Sequence, residues 1–331
     1  MLAEIVALVL LVALVAYTLT GGADFGGGAW DLFASGPRKD AQRALIARAL
    51  APIWEANHVW LVLIVVVLFV ALPHAYTAIT TALHIPLVLV LIGIVLRGAA
   101  FVFRSYDPVH GVGSVRWRRV FAIASLVTPV FLGVVLGAVV FGGVRLDADH
   151  RPIVGFVEAW LQPLPFLVGA FVLLVFAWLA AVYLTVEAEG DAALQDDFRR
   201  RALASGALAG VVSLVVLSAA RSAGSAGHLA EAFGTAALAL QITVATLAIG
   251  ALAALWHRAY RRARILAAGQ VTLVVVGLEL ALWPHVIAPD LTFAEALAPE
   301  SAVVPMLVAL AIGAPLLIAA LAYLYRVFRR V

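Results

Sequence analysis

Cysteine is absent from this 331-residue chain, and methionine occurs twice, at Met1 and Met306. Without thiols there is no disulfide, iron–sulfur cluster, thiolate haem ligand or thiol nucleophile, and thioether haem ligation is nearly excluded as well. Charge is scarce: Asp, Glu, Lys and Arg make up 12% of residues against 65% hydrophobic, and the mean hydropathy is +1.09. Such a composition does not suit a soluble domain. Phosphate loops, nucleophile elbows, His pairs at i, i+4 and carboxylates at metal-ligand spacing are also missing. So are long linkers, low-complexity tracts and internal repeats.

What remains is a polytopic, all-α membrane protein. A hydrocarbon core of roughly 30 Å needs about 20 apolar helical residues. Nine such segments can be drawn, at 2–24, 45–72, 76–104, 117–143, 158–187, 199–220, 230–257, 265–287 and 301–325. They fill nearly the whole chain, so a single integral membrane domain over 1–331 is expected. The first run has Glu4 where a signal peptide would be basic, and it continues too far without a clear cleavage site, so it reads as a transmembrane helix. The net charge of +3 is explained by position. Alternate connections collect Arg38, Lys39, Arg43 and Arg48, then Arg116, Arg118 and Arg119, then Arg199 to Arg201, then Arg258, Arg261, Arg262 and Arg264, and last Arg326, Arg329 and Arg330. The opposite side receives Arg145, Arg151 and Arg221. The positive-inside rule then puts the N-terminus outside and the C-terminus in the cytoplasm, and the basic excess calls for no nucleic-acid partner.

Ionisable groups inside such helices are costly and usually face protein or water. Those in the second segment come together in Pro52-Ile53-Trp54-Glu55-Ala56-Asn57-His58-Val59-Trp60. Glu55 would lie roughly 15 Å from the cytoplasmic start of its helix at 1.5 Å per residue. His58, three residues on, points to nearly the same side, so the two could exchange a proton. A buried polar contact that only fixes packing is an equal alternative. Asp24 follows Tyr17 and Thr20 at i+7 and i+4, and Arg97 and Arg104 lie seven apart on one face of the third segment. These three charges could line a wet passage toward Glu55. Equally, Asp24 could form a structural ion pair with an arginine, and the arginines could snorkel to headgroups. The glycines at 21, 22 and 26 to 28 allow close helix approach or a break. Glu279, deep in the eighth segment, has no evident partner in sequence. His74, His84 and His285 read as interfacial histidines.

Three ordered motifs carry a family resemblance. Thr20-Gly-Gly-Ala-Asp24-Phe-Gly-Gly-Gly28 resembles the end of the first helix in subunit II of cytochrome bd quinol oxidases. Ala51-Pro52-Ile-Trp54-Glu55-Ala-Asn57-His58-Val59-Trp60 is similar to that family's "GPxWDGNxVWL" signature, and Arg97-Gly-Ala-Ala-Phe101-Val-Phe103-Arg104 to its "RGxxFEFR" segment. The resemblance implies two four-helix bundles plus a peripheral helix: helices one to four over about 2–143, five to eight over about 158–287 and the ninth over about 301–325. It implies a non-haem subunit of a quinol:O2 oxidoreductase in the cytoplasmic membrane of a prokaryote, with no independent activity. The partner, subunit I, would carry haem b and haem b or d together with the quinol site, and small extra subunits are an open alternative. No cofactor would be ligated by this chain, although a structural quinone or membrane lipid could be held. Glu55 maps onto the family's proton-path acid, with Asp24 and His58 beside it and Trp54, Asn57, Trp60, Arg97, Arg104 and Glu279 as path-lining or structural positions. The chain departs from the pattern with Glu for Asp at 55, Gly21 in place of an acid, Val102 in place of another, and Ala56 for a glycine. His58 or Glu279 could compensate for the missing acids. Rival readings are a proton-coupled transporter or channel and a purely structural subunit.

Overall fold

The computed structural model describes residues 1–106, 112–222 and 235–328, without the side chains of 50–55, 104–106, 112–115, 235–237, 325 and 328. Lipid offers the backbone no hydrogen-bond partners, so a chain this apolar spends its length on helices. These are α1 (Leu2–Leu32), α2 (Lys39–Ala71), α3 (Pro73–Ala82), α4 (His84–Tyr106), α5 (Val112–Val140), α6 (Pro163–Glu187), α7 (Ala192–Ser222), α8 (Thr235–Trp256), α9 (Tyr260–Leu282), α10 (Phe293–Ala296) and α11 (Glu300–Phe328). A small antiparallel hairpin, β1 (His285–Ile287) and β2 (Leu291–Thr292), follows α9. Among the described residues eight helices are long and apolar enough to cross a membrane, or nine if the bent pair of α2 and α3 counts as one span.

The expected boundaries need three corrections, each with a local cause. The first segment does not stop at residue 24 but runs to Leu32, because its glycines are packed against neighbours instead of unwinding the helix. The third segment is not one helix over 76–104: α3 turns back at 116° from the end of α2, and α4 starts afresh at His84. Proline explains both breaks. Leu72 precedes Pro73 and leaves the helical region at φ −131°, ψ 58°, and Pro86 falls in the first turn of α4, where its missing N–H costs nothing. The eighth segment ends at Leu282 and not at 287, since Trp283, before Pro284, is extended at ψ 133°. The stretch beyond it forms the hairpin, with His285 opposite Thr292 and Ile287 opposite Leu291.

Helix α1 packs on α2, α5, α6 and α9; α4 packs on α5, and α5 on α6. Helices α6, α7, α8 and α9 contact one another in turn, while α11 leans on α2 at the periphery. One end of the molecule is laced by charge. Arg38 donates to Asp197 at 2.8 and 2.6 Å, Arg201 donates to the Phe33 carbonyl and Gln42, Arg199 reaches the carbonyls of Leu255 and Trp256, and Arg261 pairs with Glu189. The other end is closed by an apolar cap in which Ile287, Leu291, Phe293 and Ala296 pack with Val6, Leu72, Val144 and Trp160. Arg145 donates to Asp290 at 2.7 Å, and the Ala298 N–H donates to the Ala71 carbonyl at 2.8 Å, tying the cap to the end of α2.

A capping box fixes the cap's last turn. The Thr292 hydroxyl and N–H donate to Glu295 at 2.6 and 2.9 Å, and the Glu295 N–H returns a bond to the hydroxyl. These bonds hold the Glu295 carboxyl below the ordinary range, the hydroxyl contributing most. A folded-state value below the unfolded one means the contribution is complete at neutral pH and is lost as pH falls through the carboxylate range. Thr292→Ala is expected to cost about 1 kcal/mol of local stability. Amides of 285–296 should then exchange roughly fivefold faster in hydrogen-exchange mass spectrometry; an unchanged rate would show that the box is idle.

Candidate functional site

Helix α1 is the axis of the site, and its small residues decide what it can touch. A Cβ on Gly26 would fall on the Phe176 carbonyl of α6, and one on Gly28 would fall on the Ser125 hydroxyl of α5. A Cβ on Gly21 would stand 2.9 Å from Asn57 Oδ1 of α2. Only hydrogen at these positions lets three helices close on α1 at once. One face of α1 thereby becomes an interior polar stripe, with Tyr17, Gly21, Asp24 and Gly28 at i, i+4, i+7 and i+11.

Asp24 and Arg97 meet at the centre of this packing, 0% and 2% exposed. Arg97 Nη1 donates to Asp24 Oδ2 and Nη2 to Oδ1, both at 2.5 Å, and Nη2 also donates to the Asp24 carbonyl at 3.0 Å. Its Nε donates to Ser125 Oγ at 2.9 Å, and that hydroxyl donates in turn to the Phe121 carbonyl. The guanidinium is sandwiched between the rings of Phe25 and Phe121, 4.7 and 4.8 Å from their centroids. Fork geometry, a hydroxyl acceptor and two ring faces are what a dry guanidinium needs. The pair is sealed, so neither residue lines an open passage and Arg97 does not snorkel. Asn57 Nδ2 approaches Asp24 Oδ2 at 3.4 Å, which makes it the link from α2 to the pair.

The other expected positions divide by element. Glu55 and Trp54 are carried by α2 and Arg104 by α4, but their side chains lie outside the described residues. Their neighbours Ala56 and Asn57 are 1% exposed. His58 is half-buried, and Trp60 is half-buried against the cluster of Tyr17, Phe25 and Phe176. Glu279 of α9 is half-buried, and its Oε1 has no hydrogen-bond partner among the described residues. Two groups escaped the sequence reading. Asp31 is 1% exposed, with Oδ1 3.9 Å from Arg43 Nε. It lies seven residues beyond Asp24, so the spacing that joined Tyr17 to Asp24 would have found it. Ser125 is an ordinary helix serine in sequence. Tyr17, which its spacing already put on the Asp24 face, has a buried hydroxyl without a partner among the described residues.

Among the described residues the donor set does not fit a haem. His74 and His150 lie ring to ring at 5.4 Å, and His84 packs its ring on Phe156. Residues 150 and 156 belong to the 141–162 connection. Met306 is on the peripheral α11. No group of three or more His, Cys, Asp or Glu suited to a metal ion occurs among the described residues.

Fold and site together define an all-helical, multi-pass membrane protein in which, among the described residues, one fully enclosed charge pair joins α1 to α4. The chain belongs to the family described as cytochrome bd terminal oxidase subunit II, whose model matches residues 2–328. It is 31% identical over 208 residues to cytochrome bd ubiquinol oxidase subunit 2 of Bacillus subtilis (strain 168), covering 62% of this chain and 58% of that one. Cytochrome bd-I ubiquinol oxidase subunit 2 of Escherichia coli (strain K12) is 29% identical over 216 residues, 63% of this chain and 53% of that one. The chain thus spans somewhat over half the length of these relatives. A solved structure of bd oxidase from Geobacillus thermodenitrificans shares the fold, with a TM-score of 0.77 at 20% identity over 99% of this chain and 98% of that one.

Proposed function

We propose that this chain is the non-haem subunit II of a cytochrome bd-type terminal oxidase. It supports a haem-bearing subunit I that oxidises quinol and reduces dioxygen to water, and it supplies protons from the cytoplasm through Glu55. The charged end of the bundle faces the cytoplasm, the apolar cap faces outward, and the helices act as one membrane domain of two four-helix groups with α11 outside them. The observation that carries the reading is the placement of α2: Asn57, two residues beyond Glu55, reaches the enclosed Asp24 while its neighbour Ala56 is also buried. Asn57 thereby ties this part of α2 to the protein interior, and ionisable groups of membrane helices usually face protein or water.

Asp24 takes a structural part in this scheme, because both its carboxylate oxygens are engaged by Arg97. The same saturation favours the second reading, a subunit whose polar groups only hold the fold. Co-purification separates either from a transporter. An affinity-tagged chain taken from its native membrane is expected to bring a second large protein with haem absorbance, and a colourless single chain would overturn the oxidase assignment.

A further inference from the structure

Helix α1 buries two carboxylates, and they are held in different ways. Asp24 has both oxygens engaged by the Arg97 fork, which leaves little room for a proton. Asp31, seven residues and roughly 10 Å nearer the charged end at 1.5 Å per residue, is 1% exposed. Its Oδ1 stands 3.9 Å from Arg43 Nε of α2, an attraction between charges beyond hydrogen-bond length. The same Arg43 approaches Asp40 with Nη1 at 3.6 Å. One guanidinium thus lies between a carboxylate inside the protein and one in solvent: the side chains of Asp31, Arg43 and Asp40 are 1%, 19% and 83% exposed. Neither contact is a fork of the kind that locks Arg97.

The seam between α1 and α2 sets these groups in order. Asn57 meets Asp24 and Arg43 meets Asp31, so the two contacts bracket residue 55 of α2. An apolar cluster that includes Trp30, Leu45, Ile46 and Phe121 closes the bundle around the outer of these levels. Keeping a carboxylate there is costly. The chain keeps it while lacking the acids of the resembled signatures at Gly21 and Val102.

We infer that Asp31 is the proton-collecting group at the cytoplasmic mouth of the path to Glu55, with Arg43 as its gate. The inference rests on the Glu55 relay proposed above and names its entry. Ionised Asp31 draws Arg43 inward. A proton taken from a cytoplasmic water forms an O–H bond on Asp31 and cancels that attraction, and Arg43 turns to Asp40. The proton then passes through water to the Glu55 carboxylate, Asp31 is ionised again, and Arg43 returns. No electron moves, and each transfer breaks one O–H bond and forms another.

The test is quinol-driven oxygen consumption by the complex purified from native membranes, with haem content and thermal unfolding measured on the same samples. Asp31→Asn is expected to slow turnover about tenfold at neutral pH, short of the roughly 10²-fold typical of positioned proton transfer because bulk water still reaches the mouth. Asp31→Glu, which keeps the carboxyl, should stay within about threefold of the wild type. Asp31→Asn combined with Arg43→Gln leaves neither charge of the pair behind, so a pair that only held the fold would give back wild-type turnover. The relay predicts a double variant that unfolds like the wild type and remains about tenfold slow. Wild-type turnover in Asp31→Asn, or in the double variant where the single one does not assemble, would overturn the inference. Glu55→Gln in the same assay separates the two readings. A slow Glu55→Gln beside a normal Asp31→Asn leaves the relay standing without this entry, and normal turnover in both removes the relay itself.

Discussion

Asp24→Asn is expected to destabilise the folded chain by about 3–5 kcal/mol, the usual cost of removing one partner from an enclosed ion pair. The loss is large because the guanidinium of Arg97 keeps its burial between Phe25 and Phe121 but loses both charged acceptors. Arg97→Lys should come close behind, since an ammonium cannot make the fork to Asp24, the bond to Ser125 and two ring contacts together. The pair itself is not required for stability. Replacing both members by apolar residues of similar volume, Asp24→Leu with Arg97→Met, should recover most of the loss, because the desolvation cost disappears with the charges. Thermal unfolding of the purified complex in detergent measures the three variants. A double variant no more stable than Asp24→Asn would show that the pair holds something other than the local packing.

Glu55→Gln is expected to slow quinol-driven oxygen consumption by about 10²-fold, the lower range of what positioned proton transfer contributes, with haem content and assembly unchanged. Glu55→Asp should retain most of the rate, because it keeps a carboxyl and restores the acid typical of the signature that the segment resembles. A structural role predicts the reverse order, since Gln preserves the length and hydrogen-bonding shape of Glu while Asp shortens it. Normal turnover in Glu55→Gln, with the partner subunit fully loaded, would remove the relay. Such a result would leave the family assignment standing and favour the purely structural reading.

The two experiments fall on positions that were not equally visible in the sequence. Arg97, Asp24 and Asn57 stand out as polar groups in apolar runs, and helix spacing alone puts Tyr17 and Asp24 on one face. Which arginine would meet Asp24 was not legible, because that depends on how α4 is set against α1. The setting is fixed by the Gly28 contact with Ser125 and by the Phe25 and Phe121 rings, each of which looks in isolation like ordinary packing. The helix end at Pro73 was legible, whereas the eighth segment was carried past Pro284 and Pro86 was placed inside a helix rather than at the opening of a new one. The cap hairpin escaped because strands of three and two residues carry no periodicity. Asp31 escaped because it lies beyond the point at which a glycine-rich helix would be expected to stop.

The contact between Gly21 and Asn57 bears on how this chain could have drifted from its relatives. Position 21 is where the resembled signature has its first acid, and any side chain there would run into Asn57, whose Oδ1 lies 2.9 Å from the place a Cβ would take. An acid restored at 21 would therefore turn the Asn57 amide aside and break its approach to Asp24 Oδ2. One substitution on α1 is enough to uncouple α2 from the enclosed pair.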